Sequence, residues 1–164
     1  MESLTFSTGE KVLRYREVLD AIEGLVAGEP DLIANLANAA AALKECVAAA
    51  SWVGFYLLRG NELVLGPFQG KIACVRIALG RGVCGTAAAE RRTIVVPDVE
   101  KFPGHIACDA GSRSEIVVPL VRDGRLLGVL DVDSYQEDAF DDLDASGLEA
   151  VVQRLAGLAW EQVR

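Results

Sequence analysis

Apolar residues recur at every third or fourth position near both ends of the chain, which is the pattern of an amphipathic helix. A first helix is predicted from about 10 to 27, and a second begins near Asp31, after a break that contains glycine and proline. A last helix begins near Asp141 or Asp142, where an aspartate can serve as the N-cap, and continues to the end of the chain. The pattern therefore predicts helices at both termini.

Between these helices the pattern changes to short runs of Val, Ile, Leu and aromatic residues separated by Gly, Asn and Pro, which is typical of strands. Strands are predicted at 52–58, 62–66, 93–96, 115–121 and 125–133, with a shorter extended segment near 72–78. The turns at 59–61 and 122–124 predict two hairpins. A brief helix is predicted at 83–90, and residues 97–114 form a long loop, a feature that is usually functional or disordered inside a compact domain.

These elements predict an α+β fold with a central antiparallel sheet. The N- and C-terminal helices are expected on one face of the sheet, and a ligand pocket under the long loop on the other. The chain contains no linker, internal repeat or low-complexity tract, so we expect a single domain that spans residues 1–164.

The composition narrows the classes of function. The chain has 164 residues, of which 51% are hydrophobic, enough for a core that needs no disulfide or metal. A net charge of −8 without a cluster of Lys or Arg argues against nucleic acid or an anionic membrane as the main partner. The chain shows neither a secretory signal pattern nor an apolar run long enough to span a membrane, so we expect it in the cytoplasm.

Four cysteines are too few and too widely spread for a secreted disulfide scaffold, and they are expected to begin as thiols. Cys46 lies on the apolar stripe of the second helix and is predicted to be buried. Cys74 lies at the edge of a predicted strand. Cys84 lies in a Gly-Val-Cys-Gly stretch at a predicted helix start, where backbone N–H groups and the helix dipole would lower the pKa of its thiol.

The fourth cysteine, Cys108, lies in the long loop between two groups with opposite effects. The neighbouring Asp109 opposes thiolate formation, whereas His105, three residues earlier, would favour it. A zinc site is disfavoured because the chain has one histidine and no closely spaced cysteine pair. The residues alone leave open a hydrolase that uses His105 as the base and a redox couple among the thiols.

Carboxylates form a second candidate group at the end of the last hairpin. Alternation along the final strand predicts two faces, one with Leu127, Val129, Asp131 and Asp133 and the other with Leu126, Leu130 and Val132. Two aspartates on one face would lie roughly 6.5–7 Å apart, and the hairpin would bring Glu115 close to Asp133. Mutual repulsion and burial would raise at least one pKa, as a proton donor requires, although a solvated end of the hairpin stays open.

Two further groups have simpler interpretations. The acidic run from 137 to 144 is expected to serve solubility and helix capping. Trp52 and Tyr56 lie on the same face of the first strand, where they form either part of the core or an aromatic wall that holds a small zwitterion.

Several motifs resemble those of a known family. They are the tract GRGVCGTAAAERRTIVVPDV, the loop FPGHIACD at 102–109 and the strand ending GVLDVDS. Together with the order of the elements, they resemble the free methionine-(R)-sulfoxide reductases, which are GAF-domain enzymes. The resemblance covers almost the whole chain and includes Cys74, Cys84 and Cys108, which most GAF domains lack.

The resemblance implies a role for each candidate residue. The nucleophile would be Cys108 and the main resolving thiol Cys74, with Cys84 as a third family cysteine that can take part in disulfide exchange. The substrate pocket would consist of the acidic residues and the aromatic wall: Glu115, Asp131, Asp133, Trp52 and Tyr56.

The implied reaction reduces free methionine (R)-S-oxide. A carboxylic acid protonates the sulfoxide oxygen, Cys108 attacks the sulfur, and methionine leaves a sulfenic acid that a second thiol condenses to a disulfide. Thioredoxin would then reduce that disulfide, and neither a cofactor nor a metal is expected. The resemblance also suggests a homodimer formed through the terminal helices. The alternative function is a non-catalytic GAF-type module that binds a small ligand or senses redox state.

Overall fold

The computed structural model describes residues 5–7 and 9–163. The strands in this part of the chain are β1 (Trp52–Arg59), β2 (Glu62–Gln69), β3 (Arg76–Ala78), β4 (Ile94–Val96), β5 (Ser114–Arg122) and β6 (Arg125–Ser134). The α-helices are α1 (Lys11–Val26), α2 (Leu32–Cys46), α3 (Gly82–Glu90) and α4 (Asp142–Ala156), and short 3₁₀ turns occupy Val99–Lys101 and Trp160–Val163. None of the described helices is both long and apolar enough to cross a membrane.

The six strands form one sheet in the order β3-β2-β1-β6-β5-β4, in which all neighbours are antiparallel. Both predicted hairpins are confirmed. Asp123 and Gly124 have φ angles of 50° and 73°, the left-handed pair that a two-residue hairpin requires. The extended segment near 72–78 is shorter than predicted, because only β3 pairs with the sheet, whereas β2 continues to Gln69.

Helices α2 and α4 pack on one face of the sheet and α1 packs against both of them, so the terminal helices lie on one face, as predicted. Their apolar stripes and the facing strand residues form what we call the helix-side core, with Val18, Ile22, Leu36, Leu43, Phe55, Leu130, Val132 and Leu148 completely buried. The last helix ends at Ala156 instead of continuing to the end of the chain. The chain turns there because the indole N–H of Trp160 donates to the carbonyl of Leu155 at 2.9 Å, which places the ring in the core.

Asp141 is the N-cap of α4, as predicted, and it forms a capping box with Asp144. The acidic run was predicted to serve solubility and helix capping, and Asp144 confirms the capping role but not the solubility role, because it is buried. Its carboxylate accepts hydrogen bonds from Tyr15 Oη at 2.9 Å and from Lys11 Nζ at 2.6 Å. Asp144 therefore also connects α4 to α1.

The opposite face of the sheet carries α3 and the loops. We call its apolar cluster the pocket-side core, which includes Trp52, Tyr56, Leu63, Ile77, Cys84, Val117 and Val129. The predicted faces of β6 were wrong at two positions. Leu120 pairs with Gly128 but Val121 pairs with Leu126, so a bulge leaves Leu127 as an extra residue. Leu127 consequently lies in the helix-side core and Leu126 packs on the pocket-side core.

Candidate active site

A cleft of about 510 Å³, including its open mouth, lies over the pocket-side core. Its lining contains every candidate residue except Cys74: Trp52, Tyr56, Cys84, Cys108, Glu115, Asp131 and Asp133. A cleft that combines apolar walls with a few convergent polar groups is typical of a small-molecule site. The structure thus brings together residues that are up to 81 positions apart in the chain (52 to 133).

The register of three adjacent strands places the polar residues of the cleft. Asp133 on β6 lies opposite Glu115 on β5 and opposite Trp52 on β1, while Asp131 lies opposite Gly54. Because side chains alternate between faces with a period of two, all of these positions face the cleft. The predicted proximity of Glu115 and Asp133 is therefore confirmed.

The aromatic wall depends on a glycine in β1. The Trp52 ring lies over Gly54, where an added Cβ would come within 2.4 Å of it, and its centroid is 6.0 Å from that of Tyr56. Trp52 Nε1 donates to the carbonyl of Lys71 and Tyr56 Oη to the carbonyl of Cys74, both at 3.0 Å. The two rings belong to the pocket-side core, which confirms the first interpretation, and they also line the cleft, where a wall that binds a ligand would have to lie.

The three carboxyl groups are withdrawn from water. Burial is the main cause that raises the pKa values of Glu115, Asp131 and Asp133 well above their usual range, and repulsion among the carboxylates raises them further. Asp131 is only 6% exposed, and its buried Oδ1 has no hydrogen-bond partner among the described residues. A solvated hairpin end is excluded, and the cluster favours protonated acids or a cationic ligand.

A disulfide joins Cys74 and Cys108 at this cleft, with their Cα atoms 5.3 Å apart. It connects the segment before β3 to the long loop and pairs two of the thiols that the sequence left as candidates. The other two cysteines are free and buried. Cys46 lies in the helix-side core, as predicted.

The expected low pKa of Cys84 was wrong. This thiol is buried at the start of α3. Burial is the main cause that raises its pKa well above the usual range, and the nearby carboxyl groups raise it further. Its Sγ donates a weak hydrogen bond to Glu115 Oε1 at 3.9 Å. Desolvation and three acidic neighbours outweigh the influence of the helix N-terminus.

Cys84, Glu115 and Asp131 each offer one ligand atom, and these atoms lie within 4.8 Å of one another. This set comes from α3, β5 and β6, so a search for closely spaced ligands in the sequence does not find it. The group could hold a cation only by releasing the protons that the raised pKa values retain.

The long loop is held in place through contacts between Asp109 and two residues outside the loop, Tyr135 and Lys71. The Asp109 carboxylate accepts hydrogen bonds from the Gly111 amide at 3.0 Å and from Tyr135 Oη at 2.7 Å, and Lys71 Nζ lies 3.8 Å away. Lys71 also lies over the Tyr135 ring at 5.1 Å. We call Asp109, Tyr135 and Lys71 the loop clasp. No motif indicated Lys71 or Tyr135, because the fold alone brings them to Asp109.

His105 lies deeper in the cleft than Asp109. Its Nε2 is 3.5 Å from Glu115 Oε2, and burial lowers its pKa, which favours the neutral imidazole. The two groups whose effects on Cys108 opposed each other in the sequence are thus both engaged elsewhere, His105 with Glu115 and Asp109 with the loop clasp.

The chain is similar to known proteins in both sequence and fold. Residues 31–159 match the model of the GAF domain family. The chain is 56% identical over 155 residues to GAF domain-containing protein A of Dictyostelium discoideum, covering 94% of this chain and 98% of that protein. It is 52% identical over 141 residues to the free methionine-R-sulfoxide reductase of Escherichia coli K12, covering 86% of each. The free methionine-R-sulfoxide reductase of Neisseria meningitidis, solved in complex with its substrate, is 54% identical with a TM-score of 0.91, over 95% of this chain and 94% of that one.

Proposed function

The chain belongs to the GAF-domain family of free methionine-R-sulfoxide reductases and is an oxidoreductase, and we propose that it reduces free methionine (R)-S-oxide in the cleft beside the Cys74–Cys108 disulfide. The observation that carries this proposal is the juxtaposition of that disulfide with three buried carboxyl groups of raised pKa. A thiol pair and a proton source are the two groups that sulfoxide reduction requires.

The carboxyl cluster gives the site its preference for a free amino acid. Free methionine sulfoxide carries an α-ammonium group, which a residue within a peptide lacks. The unpartnered Oδ1 of Asp131 and the neighbouring Glu115 offer buried acceptors to that group, and Asp133 lies opposite Glu115. The wall of Trp52 and Tyr56 then packs against the apolar part of the side chain.

The chemistry proceeds in two steps. A protonated carboxyl group donates a hydrogen bond or a proton to the sulfoxide oxygen, and the Cys108 thiolate attacks the sulfur. The oxygen ends on Cys108 as a sulfenic acid, and methionine leaves. Cys74 then attacks the Cys108 sulfur, water departs, and the disulfide forms. Two electrons pass from the two thiols to the substrate.

Cys84 is assigned a secondary role. It is close to the carboxyl cluster but buried, and its raised pKa leaves little thiolate. We place it as a third thiol that exchanges with the disulfide after the first steps. No resident cofactor or metal enters the proposed mechanism, since the two thiols supply both electrons.

Thioredoxin is the proposed reductant of the disulfide, and the cytoplasm, where thiols are kept reduced, is the proposed compartment. We propose that the whole chain forms one domain, in which two cores share a single sheet. A homodimer through the terminal helices is supported by Val12 and Leu13 on α1 and Leu143 on α4, apolar side chains that are each nearly half exposed. Sedimentation of Leu13→Glu as a monomer beside a dimeric wild type would support the pairing, and a monomeric wild type would refute it.

The experiment is a single-turnover assay of reduced protein without any reductant, using the R and S epimers of free methionine sulfoxide separately. The wild type is expected to release one methionine per chain from the R epimer only. Cys108→Ser should release none, whereas Cys74→Ser should release one but fail to recycle with thioredoxin. Cys46→Ser, which changes a buried thiol in the helix-side core, is the matched control and should behave as the wild type.

A wild type that releases no methionine from the R epimer would refute the reductase assignment. If such a protein were nevertheless stabilised by the ligand against heating, the sensory module would be the better function. Activity in Cys108→Ser would instead show that the nucleophile is misassigned.

A further inference from the structure

Three apolar side chains are exposed beside the disulfide. Ile72 is 91% exposed, Val75 62% and Ile106 37%, although large apolar residues are usually withdrawn from water. Ile72 and Val75 flank Cys74 in the chain, and Ile106 lies two residues before Cys108 and lines the same cleft as Ile72. We call Ile72, Val75 and Ile106 the mouth patch.

The exposure of the mouth patch does not come from a loose backbone. The carbonyls of Lys71 and Cys74 accept hydrogen bonds from the rings of the aromatic wall, both at 3.0 Å, and the carbonyl of Val75 accepts one from the Leu65 amide at 2.9 Å. The segment is therefore fixed at several points while its apolar side chains point outward. Such a patch on an ordered surface is typical of an interaction site.

We infer that the mouth patch is the docking surface for the protein dithiol that reduces the Cys74–Cys108 disulfide, an inference that rests on the proposed catalytic cycle. A reducing thiolate must come into bonding distance of a disulfide sulfur. The protein surface around that thiolate then necessarily covers the residues that flank the bond. An apolar partner surface would remove the mouth patch from water in the same movement.

The charge around the mouth patch narrows the kind of partner that can bind there. The stretch 69–89 contains no acidic residue in a chain of net charge −8, and it carries Lys71, Arg76 and Arg81. The side chains of Lys71 and Arg76 are 68% and 60% exposed, although each lies beside one carboxylate, Asp109 and Glu62 respectively. A partner with an acidic rim around an apolar centre would match this distribution and would be steered toward the disulfide.

The position of the patch also selects the sulfur that is attacked. Because two of its residues flank Cys74, the partner's thiolate attacks Cys74 Sγ and forms a mixed disulfide, and Cys108 leaves as a thiolate. The partner's second thiol then attacks its own sulfur in the mixed disulfide and releases Cys74. The partner loses two electrons and two protons, and the chain returns with Cys108 ready for the next substrate.

The test compares two reductants in the same variants. Val75→Ser changes a patch residue that does not line the cleft, and Ile33→Ser, at an exposed apolar position on α2, is the matched control. The rate of R-epimer reduction is measured with thioredoxin, itself recycled by its reductase and NADPH, and with dithiothreitol. Val75→Ser should lower kcat/KM for thioredoxin by about tenfold, equivalent to about 1.4 kcal/mol. Its rate with dithiothreitol should change less than twofold, because a small dithiol needs no docking surface.

Ile72→Ser is judged by the ratio of the two rates, since Ile72 also lines the cleft. An equal loss with both reductants, or a higher KM for the sulfoxide alone, would assign the patch to substrate closure and overturn the inference. Unchanged kinetics in both Val75→Ser and Ile72→Ser would overturn the inference as well. Loss of self-association in these variants would also overturn it, because it would assign the mouth patch to contact with a second copy of the chain. A wild type recycled by dithiothreitol but not by thioredoxin refutes the docking surface and leaves the reductase chemistry intact.

A second measurement identifies which sulfur atom of the disulfide the partner's thiolate attacks. Thioredoxin that lacks its second cysteine cannot complete the exchange and should remain attached as a mixed disulfide. Peptide mapping is expected to find it on Cys74. Attachment to Cys108 would overturn the assignment of the attacked sulfur.

Discussion

Replacing Asp131 by asparagine is expected to stabilise the protein at neutral pH while impairing its reaction. The native pKa of Asp131 is raised above the unfolded value of about 3.9, because the folded protein buries the carboxyl group. The folded state thus holds a proton that the unfolded state has lost. The stability that this proton contributes is fully present below about pH 3.9 and is lost as the pH rises toward the native pKa.

The magnitude follows from linkage. For each pH unit between the unfolded and the native pKa, the free energy of unfolding falls by about 1.4 kcal/mol for this one group. Asparagine has nearly the same shape and never ionises, so the Asp131→Asn variant escapes this loss. Its remaining slope reflects Glu115 and Asp133, whose pKa values are raised in the same direction.

Urea unfolding of the oxidised proteins between about pH 5 and about pH 8 measures this difference. The advantage of Asp131→Asn over the wild type should grow with pH across this range, while its release of methionine falls. Asp20→Asn, which alters an exposed aspartate on α1, is the control and should follow the wild type. A variant that is less stable than the wild type at neutral pH would refute the reasoning, because it would show an ionised and well-paired native carboxylate.

Three other perturbations test separate parts of the structure. The disulfide closes a loop with a sequence separation of 34, so its reduction should lower the free energy of unfolding by about 4 kcal/mol in urea titrations. The stability of Cys74→Ser should not change with reductant, and a loss equal to that of the wild type would contradict the pairing. Gly54→Ala should displace Trp52, cost about 1–3 kcal/mol and raise the KM for the sulfoxide, whereas Gly24→Ala, with open space around it, should do neither. Asp109→Ala should slow disulfide formation relative to methionine release by about tenfold, which is measured as sulfenic acid trapped by a dimedone-type reagent. An unchanged ratio of trapped sulfenic acid to released methionine would contradict a positioning role of the loop clasp.

The sequence sufficed for most of the fold because local signals and the fold agree there. The stripes of α1, α2 and α4 match their burial, and Asp141 caps α4 as its position indicated. The hairpin turn at 122–124 pairs Arg122 with Arg125, and the bulge at Leu127 then shifts the register by one residue, which brings Glu115 opposite Asp133. Period-two alternation then places the acids on the face opposite the helices.

The features that escaped prediction depend on contacts between distant segments. A bulge exchanges the faces of Leu126 and Leu127. Gly128, directly after it, is the one sequence signal of a bulge or of a close backbone approach in this strand, and strict alternation does not take it into account. Burial is the main cause that raises the pKa of Cys84, followed by the carboxyl groups on β5 and β6, and neither effect can be inferred from a helix start in the sequence. The resemblance supplied the candidate residues of the site, but their burial and the loop clasp became visible only in three dimensions.

The two faces of the sheet divide stability from function. The carboxyl groups of raised pKa, the buried thiol of Cys84 and the exposed mouth patch each cost stability, and these three features lie on the pocket side. The helix-side core, with its long apolar helices, offsets that cost. The disulfide changes the balance during the cycle, because its formation restrains the loop that carries Cys108 and its reduction releases that loop. In the proposed cycle the reduced, substrate-binding form is therefore the less stable one, and a loop that first meets a sulfoxide and then reaches Cys74 requires the freedom that this lower stability gives it.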